Sequence, residues 1–172
     1  REEVEGEVGN WLDLVYHAAK KKQLTVGGTV LLTIMDSEFN AASDALVHTV
    51  QEIIDPEVNA GNGEGLAPIG HVVMVQSAVE VTVSVRSSLT FDTGYGWDNL
   101  QASLEAAVSD YLLEIRKGWA DTDHPVVRIS HIDTRLLGVQ GVVDVQDTTV
   151  NGGDGNLTLG KYEIPVLGGV SE

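Results

Sequence analysis

Val79, Val81, Val83 and Val85 alternate with Glu80, Thr82, Ser84 and Arg86, a strict period of two in apolar and polar positions. That period belongs to a strand with one face on a core and the other in water. Past the turn-rich run Asp92-Thr93-Gly94-Tyr95-Gly96 the period changes. Leu100, Leu104, Val108, Tyr111, Leu112, Ile115 and Trp119 form one apolar stripe at helical spacing. The spacing predicts a long amphipathic helix from about Asp98 to Gly118, with Asp98 as N-cap and Gln101 completing a capping-box-like start. Matching the two periods packs Leu104, Val108 and Ile115 onto the sheet that contains Val81, Val83 and Val85.

The first part of the chain shows the same two periods. Asn10 is a plausible N-cap for a helix carrying Trp11, Leu14, Val15 and Ala18, and Lys20, Lys21 and Lys22 suit its negative C-terminal end better than a binding patch. Thr29 to Met35 is β-branched and apolar enough for a strand buried on both faces. Between Ala42 and Ile54, Leu46, Val47, Val50, Ile53 and Ile54 make a stripe, with Asp44, His48, Gln51 and Glu52 on the opposite side. Asp55-Pro56 ends that helix, because the residue before a proline is pushed out of the α region. A glycine-rich segment, Asn59 to Gly65, reads as a flexible connection to a strand near Val72 to Val75.

Towards the C-terminus, Val126 to Ile129 is extended, and Ser130 with Asp133 offers a capping pattern for a short helix holding Ile132, Leu136 and Leu137. Gly138 or Gly141 ends it. Three strand-like runs follow, Val142 to Val145, Asn156 to Leu159 and Glu163 to Leu167, and read as a terminal antiparallel group. The expected class is α+β, built as two small α/β units. Residues 1–77 form the first. Residues 78–172 form the second, with the amphipathic long helix packed on a mainly antiparallel sheet.

Composition agrees with a folded chain: hydrophobic residues make up 42% and charged residues 21% of 172. No apolar run approaches the roughly 20 residues that a membrane helix requires. The formal charge of −16 repels phosphate backbones and anionic head groups, so neither nucleic acid nor membrane is an expected partner. With no cysteine, disulfides, thiolate metal sites and cysteine nucleophiles are all removed. The sequence opens at Arg1, without Met and without a signal-peptide pattern, and reads as a piece of something longer.

The motifs that could carry chemistry fall short of their requirements. Gly61, Gly63 and Gly65 lie between a helix and a strand, whereas a phosphate-binding loop joins a strand to a helix N-terminus, and no Gly-Lys-Ser/Thr follows. Asp121, Asp123 and His124, with Asp92 and Asp98 elsewhere, suggest a hard-cation site but lack the full ligand series. Asp154, in a glycine-rich turn, is better read as a turn former. His17, His48, His71, His124 and His131 show no zinc-ligand spacing, and no Gly-x-Ser-x-Gly elbow exists. Asn156-Leu157-Thr158 matches a glycosylation acceptor, but no secretion signal supports it. No catalytic, cofactor-binding or metal-binding residue is assigned, and no cofactor is expected.

Several blocks carry a resemblance. Val50-Gln51-Glu52-Ile53-Ile54-Asp55-Pro56 precedes Gly65-Leu66-Ala67-Pro68-Ile69-Gly70-His71. Downstream come Arg128-Ile129-Ser130-His131-Ile132, Leu136-Leu137, Gly141-Val142-Val143-Asp144-Val145, Asn156-Leu157-Thr158-Leu159 and Glu163-Ile164-Pro165-Val166-Leu167-Gly168. In this order the set resembles the baseplate J-like family of contractile-tailed phages and Mu-like prophages, roughly from Thr29 to Gly168. The resemblance implies a non-enzymatic structural component of a tail baseplate in the virion, assembled in the bacterial cytoplasm. It implies contacts with other wedge subunits and with further copies of the full-length protein, and specificity is expected to reside in loops and in an edge of the second unit's sheet. The competing reading is a metal-dependent hydrolase acting on a cell-envelope substrate.

Overall fold

A computed structural model describes residues 28–172; the helix expected from Asn10 to Lys22 lies outside them. The described chain divides into two compact units. Unit 1 holds the described residues up to Asp36 together with Ala42–Ser77, and unit 2 holds Ser37–Ala41 with Ala78–Glu172. The class is α+β, with helices set against small sheets.

In unit 1, strand β1 (Thr29–Ile34) pairs in parallel with β2 (Val72–Ser77), and helix α1 (Asp44–Ile54) lies in the connection between them. Parallel neighbours need such a crossover, which supplies the helix that covers their face. Ser43 caps α1 by accepting a hydrogen bond from the Leu46 N–H at 3.3 Å. Val47, Val50 and Ile54 then pack with Ala67, Val73 and Val75, and with Leu32 and Ile34 of β1. β2 is buried from Val72 to Val75, but β1 is at most half-buried, contrary to the expectation of burial on both faces. Among the described residues one helix packs on the β1–β2 pair, so β1 lacks the second covering layer that buries both faces of a strand. α1 is also turned slightly from its predicted orientation: Gln51 is buried and Ile53 is exposed.

Unit 2 is organised around β3 (Val79–Phe91), which continues well beyond the alternating valines and is the central strand of the order β5-β3-β7. β5 (Val142–Val150) runs antiparallel to it, and β7 (Glu163–Ser171) runs parallel. The short strands β4 (Val126–Val127) and β6 (Leu157–Thr158) make a separate antiparallel pair. The three C-terminal runs therefore do not pair with one another; each joins a strand from earlier in the chain. Alternation shows which face of a strand is apolar, but it carries no information about which neighbour it takes. In the β3–β5 ladder the register shifts between Arg86 and Ser88, where Asp147 adopts a positive φ of 52°. There Ser87 and Thr148, both buried, share a hydroxyl–hydroxyl hydrogen bond and leave neither polar group unmatched.

Helix α2 (Trp97–Lys117) buries Leu100, Leu104, Val108, Tyr111 and Leu112 in one core with Val83, Val85, Val150 and Val170, and Val81 and Ile115 pack at its margin. The predicted helix-on-sheet packing is thus present. Each fully buried leucine here contributes about 2–3 kcal/mol relative to exposure. Helix α3 (Ile129–Leu137) adds Ile132 and Leu136, while Leu137 is exposed. Gly138 is its C-cap, donating to the Thr134 carbonyl at 3.1 Å.

Both expected N-caps move. α2 begins after Gly96, whose N–H donates to the Asn99 side chain at 2.9 Å, and Gln101 instead donates to Glu105. α3 begins after Arg128, ahead of Ser130. Its start is fixed from outside, because the Arg128 N–H donates to the buried Tyr111 hydroxyl and the Ile129 N–H to the Asn156 side chain. Satisfaction by a tertiary neighbour replaces the local cap.

Candidate functional site

Three of the residues considered for a cation are engaged elsewhere. Asp123 pairs with Lys161 at 3.2 Å, and the His124 ring nitrogen lies 3.3 Å from the Leu159 carbonyl. Asp92 accepts from the Thr93 N–H at 2.7 Å, the self-bonding of a turn aspartate. Asp98, Asp121 and Asp154 are exposed. Among the described residues no group of three or more His, Asp or Glu side chains is placed to hold a metal. His48 and His71 are exposed in unit 1, His131 lies tilted against Tyr111 in unit 2, and His17 is outside the described residues.

Unit 2 has a shallow, open depression of about 280 Å³ lined by Ala107, Asp110, Thr134, Arg135, Gly138 and Val139. Its hydroxyl, on Thr134, donates to the Ser130 carbonyl at 2.7 Å, and Arg135 pairs with Glu114 at 2.6 Å. Neither arrangement activates a nucleophile, which would need a base within hydrogen-bond reach of the hydroxyl.

Unit 1 presents a built surface. Gln51, in the last turn of α1, and Asp55, the C-cap of that helix, are 3% and 1% exposed. The Gln51 amide donates to the Val73 carbonyl at 2.9 Å and accepts from the Val75 N–H at 2.8 Å. One Asp55 carboxylate oxygen accepts from the Val73 N–H at 2.9 Å, and the other accepts from the Gly61 N–H at 2.8 Å. One side chain of α1 and that of its C-cap thus occupy backbone groups of β2 that a further strand would otherwise pair. An open edge is a template for unwanted association, and here it is closed by polar side chains.

The same carboxylate pins the loop formed by residues 56–71. Gly61 accepts in turn from the Gly70 N–H at 2.9 Å, and the Leu66 and Ala67 N–H groups donate to the Ile53 and Ile54 carbonyls at the end of α1. Gly65 comes so close that a Cβ would fall 2.3 Å from the Ile54 carbonyl oxygen, which is why glycine is required there. The glycine-rich segment is therefore a tied loop, and its reading as a flexible connection is corrected. On this fixed frame Val58, Leu66 and Ile69 are 88%, 77% and 76% exposed.

Residues 81–171 match the family model described as the baseplate J-like protein C-terminal domain. The chain belongs to the baseplate J-like family. Two proteins of Bacillus subtilis (strain 168) are similar to it: the "Phage-like element PBSX protein XkdT", 34% identical over 143 residues, and the "Uncharacterized protein YqbT", 35% identical over 144 residues. These alignments cover 83% and 84% of this chain, which is longer than unit 2 by itself, so the similarity reaches into unit 1. The chain spans 39% of the length of each relative.

The C-terminal domain of the baseplate J-like match corresponds closely to unit 2, and the pinned loop lies ahead of it. The loop's residues form one of the family blocks in the sequence, but nothing in that block shows how the loop is held. The apolar stripe puts Gln51 on the solvent side of α1, which the structure corrects, whereas Asp55 ends the helix as expected and in addition turns its carboxylate inward. The one signal available was their spacing of four, with Asp55 followed by proline.

Proposed function

We propose that this chain is part of a structural, non-enzymatic component of a contractile phage or prophage tail baseplate, acting in wedge or ring assembly through protein–protein contacts. The observation that carries the reading is the family match over residues 81–171, which falls on a unit with its own continuous apolar core. The pinned loop of unit 1 supports it, since large aliphatic side chains exposed on a hydrogen-bonded loop are available for association. The partners are other wedge subunits and further copies of the full-length protein, in a virion assembled in the bacterial cytoplasm. The formal charge of −16 disfavours nucleic acid and anionic membranes as partners. No described helix is long and apolar enough to cross a membrane.

The test is an in-frame deletion of residues 78–172 from the full-length gene in a host that produces the tails. Electron microscopy should show loss of complete tails with baseplates. Complete, functional tails from the deletion strain would overturn the reading. Light scattering on the isolated chain checks the assembly part: a monomer or weak dimer is expected, and a stable closed ring at micromolar concentration would place the ring interface wholly within these residues.

A further inference from the structure

We infer that the pinned loop of unit 1 is a docking surface for a partner protein that offers an apolar anchor flanked by lysine or arginine. Val58, Leu66 and Ile69 are more than three-quarters exposed on a loop whose backbone is held from within. Large aliphatic side chains in that position contribute little to unit 1's own core. Ile69 lies over Gly63, where a Cβ would come within 2.6 Å of its Cγ1, so its direction is set by the frame.

Charge selects the partner. From residue 28 to residue 77 the sequence contains no lysine and no arginine. Glu52, Glu57 and Glu64 are exposed on and beside the loop. Their hydrogen bonds are to neutral groups: the Glu57 N–H donates to Glu52 at 3.4 Å, and the Asn59 amide donates to Glu64 at 2.7 Å. Among the described residues no cation pairs with any of the three. Exposed aliphatic side chains with exposed carboxylates on and beside the same loop complement an apolar anchor flanked by basic residues, and they repel an acidic surface such as a second copy of this chain at a net −16. Because the loop is already ordered by Asp55, binding avoids most of the entropy loss of fixing it.

This inference rests on the reading that the protein works through protein contacts. The experiment is site-specific photo-crosslinking in the full-length protein, in its host, with a benzophenone amino acid at the position of Ile69. Tryptic mass spectrometry identifies the captured peptide. The expected product is a peptide of a different protein with Lys or Arg beside an apolar residue. Leu66→Ser should lower its yield roughly tenfold, as loss of a central anchor does, and Glu57→Lys with Glu64→Lys should lower it as well. No crosslink, a crosslink to a second copy, or a captured peptide that lacks basic residues would each overturn the proposal. So would a yield indifferent to these substitutions. A basic partner that is not a tail protein would leave the docking surface standing while the baseplate reading fails. Tails that contain the protein but give no loop crosslink would do the reverse.

Discussion

Unit 1 and unit 2 solve the same problem with different chemistry. Unit 2 flanks its central strand β3 with β5 and β7 and covers the sheet with the apolar face of α2, so its integrity rests on side chains such as Leu104 and Val108 that see no water. Unit 1 has two strands and a small apolar cluster. It finishes the edge of β2 with Gln51 and Asp55, two buried polar groups with matched partners. The apolar solution tolerates size-conserving exchange, because burial is non-directional. The polar solution does not, because an unmatched buried donor costs its full desolvation.

The largest effect separating the two should come from unit 2. Val108→Asp places a carboxylate among Leu104, Leu112 and Ile132 with no cation to pair it. The cost should be about 5 kcal/mol or more, comparable with a domain's whole margin of about 5–15. Chemical denaturation should show unit 2 largely unfolded in water. A midpoint close to that of the parent would refute the packing of α2 on the β5-β3-β7 sheet.

Asp55→Ala should be next, at about 3 kcal/mol, because it strands the Val73 and Gly61 N–H groups inside unit 1. Hydrogen exchange is the informative measurement: those two amides should lose protection while the amides of β3 keep theirs. Asp55→Asn should recover part of the loss, since an amide oxygen accepts from one of the two N–H groups but its NH₂ faces the other. Equal exchange in all three proteins would show that the carboxylate does not organise the loop.

The same contrast explains what could be read in advance. Unit 2 was largely legible because its information is periodic: Val81, Val83 and Val85 for the strand, Leu104, Val108 and Ile115 for the helix. Unit 1 was less so, because periodicity assigns every glutamine and aspartate to water. It cannot register that Gln51 and Asp55 face backbone groups some twenty residues downstream. Strand partners were hidden for a related reason. β7 joins β3 in parallel across a long connection, a choice made by tertiary packing, and the start of α3 is set by the Tyr111 hydroxyl and Asn156 rather than by a cap of its own.

A smaller effect tests whether unit 2 also depends on local geometry. Gly141 adopts a φ of +101°, and a Cβ there would lie 2.4 Å from Cδ1 of Tyr95. Gly141→Ala should cost about 2 kcal/mol from the disfavoured backbone angle and the displaced ring. Removing the ring with Tyr95→Ala in the same chain should restore part of that loss, seen as a partial return of the melting temperature. No recovery would assign the penalty to the backbone alone.

The smallest effect is the one that divides stability from recognition. Leu66 is 77% exposed on the pinned loop, and its backbone N–H, donated to the Ile53 carbonyl, is independent of its side chain. Leu66→Ser removes apolar area that is already in water and leaves the Asp55 bonds to Gly61 and Val73 in place. Stability should therefore change by no more than about 0.5 kcal/mol, the range of ordinary surface substitutions, with amide protection at Gly61 and Val73 unaltered. A leucine that holds the fold would behave differently, since buried leucine truncations cost about 2–5 kcal/mol. Thermal unfolding of the parent and Leu66→Ser proteins side by side decides it. A loss of 2 kcal/mol or more on that scale would make Leu66 part of unit 1's core and remove the loop's apolar surface as a place where a partner could dock.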